Sequence, residues 1–165
     1  MKALFFSISL LAITHLFAQT TKRKKIFPAI NGIWELVTVK SVSADSSVSY
    51  PYGEHPFGNM LLMQDGNYSV QIYSASRTKI ISGNKSTATP EENIMMVKGS
   101  NAHYGKYELD IKSQVIIFKP EHAFFPNWEG QELKQSFVLE GNMLTYSSSA
   151  STFGANKSVV IWKMK

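Results

Sequence analysis

The chain has 165 residues, 44% hydrophobic and 18% charged, enough for one domain and a balance that argues against disorder. The formal net charge is +5, but four positive charges are the run Lys22, Arg23, Lys24 and Lys25; the remainder is nearly neutral, which argues against broad capture of nucleic acid. The absence of Cys excludes a disulfide framework, a thiolate zinc site, a Cys nucleophile and a lipidated N-terminal Cys.

Residues 1–18 open with Lys2, continue in a mostly apolar run to Phe17 and reach the small Ala18 at a plausible cleavage position. This is the pattern of a signal peptide, and the run is shorter than the roughly 20 residues a spanning helix needs. The expectation is cleavage near Ala18 and export to the periplasm or the medium, with no integral membrane span left. Clustered positive charge just past the cleavage point resists translocation and is the one feature that fits poorly. Residues 19–30 then form a basic flexible tail, and residues 31–165 the folded domain.

The domain reads as short strands. Residues 32–42 are rich in β-branched side chains, with Trp34, Leu36 and Thr38 on one face and Ile33, Val37 and Val39 on the other. Residues 45–57 form a long loop, residues 58–64 a second strand, and Asp65-Gly66 a two-residue hairpin signal. Residues 67–73 alternate, with Tyr68, Val70 and Ile72 on the buried face. A polar stretch precedes a short helix that Thr89 caps, Pro90 opens and Gly99 ends, with Ile94, Met95 and Val97 as its apolar side. Further strands are expected over 103–111, 114–119, 132–140, 143–148 and 159–164, with turns at Lys112-Ser113 and Gly141-Asn142 and an aromatic loop over 120–130. Eight strands joined by tight turns, with no helical crossovers, specify an all-β antiparallel fold: an up-and-down barrel or a sandwich. A barrel removes the exposed edge that the sticky last strand would otherwise present.

Several segments, taken together and in order, resemble the lipocalin-like domain family of bacterial and fungal β-barrels. They are Gly32-Ile33-Trp34-Glu35-Leu36, Pro51-Tyr52-Gly53, Pro56-Phe57-Gly58, the hairpin from Asp65 to Val70 with Arg77 after it, His103-Tyr104-Gly105-Lys106-Tyr107, Pro126-Asn127-Trp128-Glu129-Gly130, Gly141-Asn142-Met143-Leu144 and Trp162. The resemblance covers residues 32–162 and implies an eight-stranded up-and-down barrel. Relatives often carry His on the strand before the Pro-Asn-Trp loop, where this chain has Ile117-Phe118-Lys119, and Arg shortly after the loop glycine, where it has Lys134-Gln135-Ser136. If those groups line a pocket in relatives, the pocket here is more apolar.

Chemistry-bearing residues are few. No spacing suits a protein-built metal site, and the serines lie in no nucleophile elbow. His103, Tyr104 and Tyr107 open one strand and either line a barrel mouth or belong to a half-buried strand with a surface histidine; the lack of an orienting partner favours the second. Arg77 lies just past the strand of Tyr68 and either holds a carboxylate at the rim or sits in solvent beside Lys79. The loop carrying Trp128 plugs the barrel end or forms a lid, with its Pro and Asn favouring a rigid plug. The expectation is a barrel that binds a small hydrophobic or amphipathic molecule through Arg77, His103, Tyr104, Tyr107, Trp128 and Tyr68, with no catalytic residue, metal or cofactor. The alternatives are a barrel enzyme of isomerase, cyclase or dehydratase type using His103, Tyr104 or Arg77, and a filled structural barrel. The sequence leaves monomer and dimer open.

Overall fold

Inward-outward alternation along the strands gives the chain one apolar surface, and closing the sheet on itself buries that surface without leaving an edge. The computed structural model describes residues 30–149 and 151–165. Its strands are β1 (Gly32–Val42), β2 (Val48–Ser49), β3 (Phe57–Leu62), β4 (Asn67–Tyr73), β5 (Ser100–Asp110), β6 (Val115–Ala123), β7 (Leu133–Glu140), β8 (Met143–Ser148) and β9 (Lys157–Met164); helix α1 (Pro90–Lys98) lies between β4 and β5. Neighbours pair antiparallel in the order β2-β1-β3-β4-β5-β6-β7-β8-β9, and β1 also pairs with β9, from Trp34 opposite Met164 to Val42 opposite Lys157. The eight long strands therefore form a closed up-and-down barrel. The two-residue β2 extends one side of β1 beyond the reach of β3.

One end is packed solid. Trp34, Met60, Leu62, Tyr107, Ile116, Leu144 and Trp162 are all buried there. Ile30 seals that end: it is 1% exposed, so it belongs to the fold and not to a tail, and its carbonyl accepts the Trp34 indole N–H at 2.9 Å. The basic run and the export segment lie outside the described residues.

The register corrects two expectations. β1 carries a bulge between Leu36 and Thr38, so two residues there oppose one on β9. The bulge turns Val39 and Ser41 inward and leaves Val37 on the outside, whereas simple alternation puts Val39 on the same face as Ile33 and Val37. The hairpin between β3 and β4 is a four-residue loop rather than a two-residue one: the Gly66 N–H donates to the Met63 carbonyl, and Gly66 adopts a φ of 81°. Asp65 and Gly66 close this turn and do not form its two central residues.

Helix α1 has its capping box, with the Thr89 hydroxyl accepting from the Glu92 N–H and the Glu92 carboxylate accepting from the Thr89 N–H. It buries none of its residues, and Ile94, Met95 and Val97 are exposed. The cap holds this helix more than any apolar face does.

Candidate ligand-binding site

The other end of the barrel is hollow. A half-open cavity of about 670 Å3 is lined by inward-facing residues of β1 and β4 to β9, with the residues after β8 at its rim. Its floor is aromatic. Phe118 of β6 packs against Tyr68 with ring centroids 4.7 Å apart and against Tyr146 at 5.7 Å, and below them begins the filled half. Polar groups are interleaved with this floor: Asn101, His103, Gln135, Ser148 and Ser158 all reach the cavity wall. The rim is tied down by the Ser41–Ser151 hydroxyl contact at 3.0 Å and by Tyr52 edge-on to Phe153 at 5.4 Å.

His103 is the central polar group. β5 begins at Ser100, so His103 lies inside the strand, opposite Val70 of β4, and faces the interior at 7% exposure. This overturns the surface reading, which rested on the lack of an orienting partner. That partner is Tyr68, whose hydroxyl lies 2.8 Å from His103 Nδ1. Burial pushes the imidazole down to about 4 and raises the Tyr68 phenol, so both are neutral at neutral pH. One proton is shared along this contact, and its direction follows the imidazole tautomer. Such a pair orients a neutral imidazole toward the cavity; it neither takes nor gives a proton near pH 7. Burial raises Tyr146 as well, and Tyr52 to about 12.

Trp128 meets His103 edge to face at 5.3 Å and lines the cavity. It comes from a single 3-10 turn, Pro126–Trp128, with Phe125 edge-on to it at 5.7 Å. Phe124 and Phe125 stay exposed. The loop thus roofs one side of an open mouth and does not plug it.

The other expected site residues lie elsewhere. Arg77 is exposed and stacks its guanidinium 4.3 Å over the outward-facing Tyr73 ring, with Nε donating to the Ser74 carbonyl at 3.2 Å. It stands outside the barrel because Tyr73 alternates outward from the buried Ile72. Tyr104 follows His103 by one residue and so points out, half exposed, beside His122. Tyr107 faces inward but at the filled end, where its hydroxyl donates to Asn31 Oδ1 at 2.8 Å and lies 3.0 Å from the Met63 carbonyl; burial pushes it up to about 12. Lys119, one residue from the inward-facing Phe118, points outward into ion pairs with Glu108 and Glu132, each at 3.1 Å. The sequence reading missed Asn101, Gln135 and the rim serines. Asn101 was findable by counting two residues back from His103, but only with the strand's true start. Among the described residues no group of three or more His, Asp or Glu is placed to hold a metal ion.

The sequence profile of the lipocalin-like domain family matches residues 31–164. This chain belongs to the lipocalin-like domain family. The match spans every strand of the barrel, from β1 to β9, and so agrees with the closed topology. No curated protein and no solved structure matches the chain. The cavity of this lipocalin-like barrel therefore has to be interpreted from its own residues. No helix among the described residues is long and apolar enough to cross a membrane.

Proposed function

We propose that this lipocalin-like barrel binds a small hydrophobic or amphipathic molecule in its open end. The observation that carries this reading is the cavity itself: about 670 Å3, aromatic at its floor and polar at a few points on its wall, within the roughly 300–1,000 Å3 range of small-molecule pockets. The neutral Tyr68–His103 pair supports positioning of a ligand over acid–base work on it. The test is native mass spectrometry of the protein purified from its own source, together with tryptophan emission on adding alkyl and aromatic probes. A co-purifying small molecule, or a saturable change in emission that Trp128→Phe abolishes, is the expected result. A bare protein mass with emission indifferent to every probe sinks the reading.

We further propose that the protein is exported, on the strength of the positive, apolar and small-residue pattern of residues 1–18. N-terminal sequencing of the mature protein is expected to start near Gln19. Secreted material that begins at Met1 refutes cleavage.

A further inference from the structure

This inference rests on the binding role proposed above and concerns the head group of the ligand. Four consecutive strands set Phe137, Tyr146, Val160 and Val39 side by side on the inner wall, all buried. Two residues nearer the mouth, about 7 Å along each strand, the same four strands change chemistry. They present Gln135 of β7, Ser148 of β8, Ser158 of β9 and Ser41 of β1. Ser41 stands opposite Ser158 and Ser158 opposite Ser148, and Gln135 and Ser148 are the next step beyond the Ser136–Ser147 pair. A row of neutral side chains, each able both to donate and to accept, therefore crosses the wall. Ser41 ends the row, with its hydroxyl held by Ser151 Oγ at 3.0 Å, and Ser148 has an interaction of its own. Gln135 and Ser158 line the cavity, make no hydrogen bond among the described residues, and keep their polar atoms open to solvent.

Across the cavity, the polar side chains of β5 each have a partner within the protein: Asn101 is hydrogen-bonded to the Tyr52 hydroxyl and His103 to Tyr68. What that side offers a ligand is ring surface, Phe118 below and Trp128 at the mouth. The lining carries one carboxylate and one lysine, Glu132 and Lys134, and they pair at 3.6 Å. An ionic head group would lose its hydration with no unpaired charge in the described lining to replace it. Neighbouring strands stand about 4.8 Å apart, so the positions of Gln135 and Ser158 span about 10 Å. A single polar atom cannot meet both; a ring that bears several hydroxyls can. We propose that the ligand is a neutral amphiphile with a polyhydroxylated head, such as a glycoside, whose hydroxyls lie along Gln135, Ser148 and Ser158. The C–H face of the head then turns toward Trp128, and the apolar body rests on Phe118 and Tyr146.

The test compares three probes with one octyl chain: octyl β-glucoside, tetraethylene glycol monooctyl ether and octanoate, titrated at pH 7.5 below micelle-forming concentrations and read by tryptophan emission. The glucoside supplies a row of hydroxyls, the ether a bulky neutral head with a single hydroxyl, and octanoate a charge. The glucoside is expected to bind about tenfold more tightly than either of the others, the gain from two net hydrogen bonds. Gln135→Met combined with Ser158→Ala is expected to weaken the glucoside about tenfold and the ether less than about threefold. The urea midpoint of this double variant is expected to stay in place, because neither side chain is bonded within the protein; where it falls, the ratios in the parent protein alone decide. Equal binding of all three probes, tighter binding of the ether or octanoate, or an undiminished preference for the glucoside in a stable double variant overturns the head-group assignment and leaves the binding role standing. Absence of saturable binding by any probe overturns both.

Discussion

Burial of His103 couples its protonation to folding. The group is held down to about 4 in the barrel against an ordinary value of 6.5, with desolvation as the cause. The unfolded chain therefore binds the extra proton first as pH falls, and stability drops between pH 6.5 and 4. The groups nearest the imidazole are the neutral Tyr68 hydroxyl and the rings of Phe118 and Trp128; the Glu132 carboxylate at the rim is committed to Lys119 and Lys134. Among the described residues nothing close by offsets the cost of charging it. The expected loss between pH 7.5 and pH 5 is about 2 kcal/mol. Urea midpoints across that range check it, with His103→Gln, which keeps an acceptor for Tyr68, as the reference; a reference slope as steep as the parent's assigns the effect to other groups. How His103 came to be misjudged is itself a matter of residue-scale geometry. The sequence places Tyr68 and His103 35 residues apart, and only the β4–β5 register brings them together. Starting the strand at His103 instead of Ser100 put the histidine on the rim and allowed Tyr104 to share its role. Alternation along the strand keeps just one of the two inside.

Strand existence was legible because the apolar period of two persists through Tyr68, Val70 and Ile72 and through the later hairpins. The ends of strands were not, because they depend on pairing partners. β6 runs on through Pro120 to Ala123, a stretch that composition assigned to a loop, because Tyr104 and Gly105 of β5 pair with it across a bulge. Gly105 sits at that bulge with the Lys119 carbonyl and the Glu121 N–H close against its α-carbon, a space with no room for a side chain. The bulge in β1 is of the same kind: no residue between Leu36 and Thr38 announces it, and it moves Val39 to the other face. Closure of the barrel was legible from both chain ends. Trp34 of β1 and Trp162 of β9 are each 0% exposed, in strands that pair directly, with Leu36 opposite Trp162. Truncating a fully buried aromatic leaves a cavity that the barrel wall can only partly fill. Trp34→Ala and Trp162→Ala are each expected to cost about 3–5 kcal/mol. Unchanged urea midpoints in both variants argue against β1–β9 closure as the element that holds the barrel.

The whole molecule divides its length between stability and binding. Trp34 and Trp162 lie in the filled half, whereas Trp128 stands at the mouth, part-exposed, on a short loop that packs against His103 and Phe125. The eight-strand count and the turn chemistry were enough to predict the barrel. They could not predict which end is hollow, because that depends on side chains brought together from β1 and from β4 to β9. A wall fixed by the filled end can carry an open mouth without collapse, so the two functions should separate under mutation. Trp128→Phe removes one ring from a half-open surface, keeps an aromatic there and leaves the packed layer of Trp34, Leu144 and Trp162 untouched. Its effect on the urea midpoint is therefore expected to stay within about 0.5 kcal/mol, the usual span for changes away from the core. Acrylamide quenching should respond strongly to the same substitution, because the part-exposed indole is lost and the two remaining indoles are sealed. The expected outcome is a native protein whose emission acrylamide barely reaches, with parent-like stability. A loss of several kcal/mol in Trp128→Phe makes the mouth loop part of the structural core, and quenching that persists undiminished means that the filled half is open to solvent as well.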